Sequence, residues 1–162
     1  MLEPIIVIDT REQNPYKFKG RLTVRKKLDA GDYSVSGFEN EIAIERKSCL
    51  DFLSSITRER DRFKKELEKL SKYRLAVLVI ESSLSEILNA TRPAKGKKKL
   101  GYTVPITEVK INVSSKAIIS TIISIMVRYR IIFYFAENRT DAEKFVIGVL
   151  DKFYALKRKG EI

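Results

Sequence analysis

Histidine and tryptophan are absent from this chain of 162 residues, and cysteine occurs once. Without histidine, Ser-His and Cys-His nucleophiles, HExxH zinc sites and histidine-based nucleases are excluded, so any catalysis must run on carboxylates, lysine, arginine, tyrosine and metal. The single thiol, Cys49, forms no internal disulfide and supports no zinc cluster, which fits a reducing, intracellular setting. No run of eighteen apolar residues occurs. The longest apolar stretch, AIISTIISIMV at 117–127, is interrupted by Ser and Thr, so no membrane span or membrane partner is expected. The opening MLEPIIVIDTRE has no positively charged leader and predicts no signal peptide. No lipidation motif is found, so no lipid anchor is expected, and the lack of a G-x-x-x-x-G-K-[ST] loop excludes a P-loop nucleotide cofactor.

What the chain does carry is charge. Thirty-two Lys and Arg outweigh twenty-one Asp and Glu, a net +11 that predicts attraction to polyanions, nucleic acid ahead of a membrane surface. Hydrophobic residues make up 44%, enough for one domain with a real core.

PIIVID, residues 4–9, is a β-branched apolar run closed by an acid and predicts a buried strand. Residues 22–37 read as extended structure broken at Ala30-Gly31, and FENE at 38–41 as a turn. IAIERK, 42–47, alternates, with Ile42, Ile44 and Arg46 on one face and Ala43, Glu45 and Lys47 on the other. Ser48 is placed to cap a helix whose third position is Asp51 and whose stripe is Leu50, Leu53 and Ile56; a second helical stretch carries Phe63, Leu67 and Leu70. Further on, 73–81 predicts a buried strand, 83–90 a short helix, 114–129 a helix with the core stripe Ile118, Ile122, Ile125 and Met126, 130–137 a strand and 140–159 a closing helix. The apolar runs 75–80 and 131–135 suit interior parallel strands. Together these predict one α/β domain over 1–162, a mixed central sheet flanked by helices. Residues 92–110 hold two Pro, two Gly and six basic residues against Glu108, and read as a mobile basic loop.

Three charges in a row at the end of IAIERK need a reason. Residues two apart on a strand project from one face about 6.6 Å apart, so Glu45 and Lys47 share one space. A hairpin through FENE lays Asp32 beside Glu45, and two carboxylates and an ammonium converge. Carboxylate oxygens are hard ligands suited to Mg²⁺ or Mn²⁺, and a cation relieves the repulsion between the acids. The lysine can orient or help deprotonate a water, or offset developing negative charge. This is the logic of metal-assisted phosphodiester hydrolysis.

GDYSVSGFENEIAIERKSCLD, 31–51, has the form G-D-x(n)-E-R-K-x-x-x-D and resembles the signature of the XPF-type structure-selective nucleases, a branch of the PD-(D/E)xK restriction-endonuclease-like superfamily. VIDTRE, 7–12, resembles that family's first-strand motif, and SSITRERDRFKKELEKL, 54–70, the segment after the signature; the likeness extends weakly to about residue 155. The resemblance implies a three-layer restriction-endonuclease-like fold. It also implies an Mg²⁺- or Mn²⁺-dependent DNA endonuclease acting near a branch, flap or single/double-strand junction in repair or recombination. Two alternatives stand beside this: a Holliday-junction resolvase or nicking nuclease, and a non-catalytic nuclease-like DNA-binding subunit.

The resemblance also implies roles. Asp32 and Glu45 match metal-binding acids, Lys47 the lysine acting on the attacking water, and the Arg46 carbonyl a further metal ligand, with the Arg46 side chain organising the site. Asp9, Arg11 and Glu12 match residues lining the active site, although Arg11 could merely pair with Asp9 or Glu12. Asp51 matches the signature's last acid or serves the first turn of its helix. Glu66 departs from a family position that is often Gln.

A helix-hairpin-helix module usually follows this nuclease domain, and none is expected here, which reads as a stand-alone domain from a virus, mobile element or archaeon. DNA contacts are then expected from Arg58, Arg60, Arg62 and Lys65, and from Lys95, Lys97, Lys98 and Lys99 of the basic loop, unless that tract serves only solubility. Tyr102 stacks on a base or packs. Pairing into a homodimer through the C-terminal helices is also implied, with Phe145, Val149, Phe153 and Leu156 either forming that surface or packing on the sheet.

Overall fold

A computed structural model of the chain describes residues 3–90 and 113–162. The expected basic loop at 92–110, with Lys95, Lys97, Lys98, Lys99 and Tyr102, lies outside the described residues. The described residues form six strands, β1 (Ile6–Ile8), β2 (Thr23–Arg25), β3 (Tyr33–Val35), β4 (Ile42–Lys47), β5 (Leu75–Ile80) and β6 (Ile132–Phe135). Five helices accompany them: α1 (Cys49–Thr57), α2 (Arg60–Leu70), α3 (Leu84–Asn89), α4 (Ser115–Tyr129) and α5 (Arg139–Lys159). No described helix is long and apolar enough to cross a membrane.

The strands make one mixed sheet in the order β2-β1-β3-β4-β5-β6. β3 runs antiparallel to both its neighbours, while β1–β2, β4–β5 and β5–β6 pair in parallel. β1, β4, β5 and β6 therefore all point one way, and their carboxyl ends lie along one edge. The expected extended segment 22–37 is two strands, one at the sheet's margin beside β1 and one on the other side of it. β5 is interior, as expected, but among the described residues β6 is an edge strand, with Ile132 half exposed.

Alternation on the strands builds three layers. Ala43, Leu78 and Ile80 face a core that also takes Phe52 and Leu53 of α1, Phe63 and Leu67 of α2, Ile87 of α3 and Ile118 of α4. Ile42, Ile44, Val77 and Val79 face the opposite way onto Val146, Leu150 and Phe153 of α5. Burying each of those three α5 side chains contributes about 1.5–3 kcal/mol. Phe145 and Val149 also pack on this side, so the expected candidates for a pairing surface cover the sheet, with Leu156 half-buried beyond them.

α4 buries Ile118, Ile122 and Ile125 but not Met126, which is 45% exposed. The 3.6-residue period explains the difference: spacings of four and three keep a stripe on one face, and Met126 follows Ile125 directly and turns outward. Ile123 (53%) and Val127 (74%) share that outer surface.

Candidate active site

The charged ends of β1, β4 and β5 meet at the carboxyl edge of the sheet. Gly31 delivers the first acid. It sits at φ +79°, and a Cβ there would approach the Ile44 carbonyl oxygen to 3.1 Å and Ala43 Cβ to 3.2 Å, so no other residue fits without displacement. The next residue, Asp32, has its N–H bonded to the Ile44 carbonyl of β4 and its carbonyl bonded to the Asp9 N–H after β1, both at 2.8 Å. Its backbone is thus held from both sides. Its side chain accepts the Arg46 N–H at 2.7 Å through Oδ2. Because N–H and C=O of one strand residue point to the same side, the Arg46 carbonyl is directed toward Asp32 as well.

Asp9, Arg11, Glu12, Asp32, Glu45 and Glu66 line one cleft of about 290 Å³, with Gln13, Arg62 and Lys69 also on its walls. Two of its acids resist ionisation. Burial, the Glu45 charge and then Glu12 push Asp32 up to about 8, against the Arg46 hydrogen bond. Burial also raises Glu45, with the Glu66 and Glu12 charges adding to it and the Lys47 ammonium opposing. Asp9 behaves oppositely. Burial would raise it, but bonds from the Arg11 side chain and from the backbone N–H groups of Leu28 (2.6 Å) and Arg11 (2.8 Å) outweigh this and hold it below the ordinary aspartate value.

Lys47 follows Glu45 on the same face of β4. Its Nζ lies 3.2 Å from Glu45 and 3.1 Å from Glu66, and 5.1 Å from the centre of the Phe63 ring. Burial would favour the neutral amine, yet the Glu45 and Glu66 charges prevail and raise its pKa. Lys47 is therefore an ammonium at neutral pH.

Arg46 points to the other face, where Ile42 and Ile44 also point. Its guanidinium bridges Glu12 at 3.2 Å and Glu81 at 3.0 Å. Glu81 is held in turn by Arg139 at 2.9 Å, and Arg139 reaches the carbonyls of Asn14 and Pro15 and stacks 4.8 Å over Tyr16. This chain of charges ties the loop after β1 to the ends of β4 and β5 and to the first turn of α5.

The structure brings together seven of the residues singled out from sequence: Asp9, Arg11, Glu12, Asp32, Glu45, Arg46 and Lys47. Asp51 sits apart. Its N–H bonds the Ser48 hydroxyl, which donates back to its carboxylate at 2.7 Å, so it completes the cap of α1; it also lines a depression with Arg46, Lys47 and Ser55. Of the expected DNA contacts, Arg62 lines the cleft, whereas Arg58, Arg60 and Lys65 do not. Sequence reasoning passed over Glu81, Arg139 and Lys69. An acid closing the run 75–80, as Asp9 closes 4–9, was a usable signal for Glu81. Lys69 falls on the same face of α2 as Arg62 and Glu66 by helical spacing.

Among the described residues no group of three or more His, Cys, Asp or Glu is arranged to hold a metal ion. Two half-buried carboxylates, Asp32 and Glu45, and the Arg46 peptide carbonyl remain. That set fits Mg²⁺, which takes one or two carboxylates and completes its shell with water and substrate phosphate. The raised affinity of Asp32 and Glu45 for protons follows from their burial and from the like charges crowded around them.

A helix-flanked sheet of this order is the fold of an XPF-type nuclease domain. It matches XPF from Aeropyrum pernix in complex with DNA at a TM-score of 0.64 and 17% identity, over 94% of this chain and 66% of that one. A second XPF structure from the same organism matches at 0.63 and 18%, over 98% of this chain and 69% of that one. The chain thus spans about two thirds of those proteins' length. No curated protein matches it. The family model for the ERCC4 domain matches residues 8–148, and the chain belongs to that family.

Proposed function

We propose that this domain is a DNA endonuclease that hydrolyses phosphodiester bonds with a divalent cation, Mg²⁺ or Mn²⁺, and selects branched, flap or junction DNA. The observation that carries the reading is that Asp32 and Glu45 line one cleft while the Lys47 ammonium, in the adjoining depression, lies 3.2 Å from Glu45. Membership of the ERCC4 domain family supports it, as does the likeness in fold to an XPF protein solved in complex with DNA.

Asp32, Glu45 and the Arg46 carbonyl would hold the cation, which supplies Lewis acidity toward the scissile phosphate. Lys47, being protonated, orients the attacking water and offsets charge that develops on the phosphate; it does not serve as the base. Arg46 keeps Glu12, Glu81 and the β4 backbone in register. Arg11, Arg62 and Lys69, on or beside the cleft walls, take the flanking phosphates. A second copy of the chain pairs through the outer face of α4, where Ile123, Met126 and Val127 are exposed, together with Ile132 of β6.

The test is cleavage of labelled flap, fork, four-way junction and linear duplex DNA with Mg²⁺ or EDTA. Cutting that needs the metal and falls at least about 100-fold in both Asp32→Ala and Lys47→Ala is expected. Junction binding with no cut under any condition would sink the enzyme reading in favour of a non-catalytic subunit. A preference for four-way junctions, or for nicking duplex, would replace the substrate assignment.

A further inference from the structure

Helix α2 presents a second charged face, away from the cleft. Arg62, Glu66 and Lys69 face the reaction centre, while Arg60 and Lys64 border a groove of about 450 Å³ between α2 and α4. Arg128 stands on the α4 wall, and the one acid on the groove's lining is Asp61. Lys64 reaches Glu68 only at 3.9 Å, and Arg60 and Arg128 make no ion pair among the described residues. Ser120 and Ser124 put hydroxyls on the α4 wall, and the apolar floor includes Phe63 and Ile125. Tyr129 supplies an aromatic ring at the end of α4. Ser55 lines both this groove and the depression that holds Lys47, so the two adjoin across α1.

Unpaired guanidinium groups, free hydroxyls and an apolar floor with an aromatic ring suit a ligand with regular negative charge and exposed planar rings. We infer that the α2–α4 groove binds a single strand of DNA, the unpaired tail that leaves the reaction cleft of a branched substrate. Arg60 and Arg128 contact successive phosphates, and bases lie against the floor and Tyr129. The inference rests on the nuclease reading of the neighbouring cleft, and it gives Arg60, which the cleft leaves out, a nucleic-acid role.

Fluorescence anisotropy in EDTA, where nothing is cut, tests it with a duplex bearing a single-stranded tail and with the same duplex blunt-ended. In the double variant Arg60→Ala/Arg128→Ala, affinity for the tailed DNA should fall about tenfold. The slope of log K against log salt should lose about 1.4, two phosphate contacts at about 0.7 each. Affinity for the blunt duplex should stay within about twofold, and a photo-crosslinker placed at Ser124 should capture the tail and not the duplex. Equal losses on both DNAs, no loss on either, or capture of duplex would overturn the inference. Cleavage separates it from the reading beneath it. A wild-type protein that binds the tail through these residues but never cuts with Mg²⁺ refutes the nuclease and keeps the groove. One that cuts normally with the double variant unaffected in binding refutes the groove alone.

Discussion

Asp32 concentrates the cost of the site in one side chain. Its carboxyl is ionised in the unfolded chain above about pH 4 but in the folded protein only toward about 8. Between those values the folded state holds more protons than the unfolded one, so this group lowers stability as pH rises through the window. Asp32→Asn keeps an acceptor for the Arg46 N–H and removes the charge. Chemical denaturation should find it more stable than wild type by at least about 1 kcal/mol at pH 8, with the difference vanishing toward pH 4. Millimolar Mg²⁺ should raise the melting temperature of the wild type at pH 8 and leave the variant unmoved.

Glu66 acts through Lys47. Glu66→Gln retains an acceptor for the ammonium and should hold cleavage within about fivefold. Glu66→Ala removes the acceptor and should lower kcat about 10- to 100-fold with little change in KM, the range seen when supporting partners of a site are lost. An equal effect of the two variants would show that charge, not positioning, is what Glu66 contributes. The acid pair and its lysine were legible as residues because strand alternation and one hairpin are local rules. Glu66 was noticed only as a departure from a pattern, since nothing local announces that a helix nineteen positions on will lay its carboxylate on Lys47.

At the scale of elements, the start of β3 is the sensitive joint. Gly31→Ala meets both a left-handed backbone and the Ile44 carbonyl, and should cost about 2 kcal/mol or more in urea denaturation. Activity should fall further than the stability loss explains, because Asp32 is the adjoining residue. A variant with wild-type stability and activity would show that the β3–β4 junction tolerates a shift. The strands β1, β4 and β5 were readable as apolar runs closed by charge. The division of 22–37 into two strands on opposite sides of β1 was not, because three-residue strands leave too short a pattern and the crossing is decided by sheet order. The edge position of β6 was hidden for a related reason: an apolar run shows that a strand is covered on its faces, not that a neighbour pairs with its side.

At the scale of the whole molecule, the outer side of α4 exposes Ile123, Met126 and Val127, and β6 exposes Ile132, among the described residues. Under the pairing proposed for it, light scattering should find a dimer at micromolar concentration, and Val127→Asp should yield a folded monomer. A wild type that remains monomeric at high concentration would remove the proposal. The link from Glu12 through Arg46 and Glu81 to Arg139 was out of reach of the sequence, because its members come from four distant segments that only the sheet order brings together.

The backbone of Asp32 is fastened to β1 through its carbonyl and to β4 through its amide. Under the proposed nuclease reading, an acid gripped in this way has little freedom to move toward a ligand, and the nucleic acid would do the bending. Duplex resists that deformation, whereas flaps, forks and junctions arrive already unstacked and pliant. Under that reading, stiffness in the middle of the sheet would be a filter, admitting the DNA that costs least to distort.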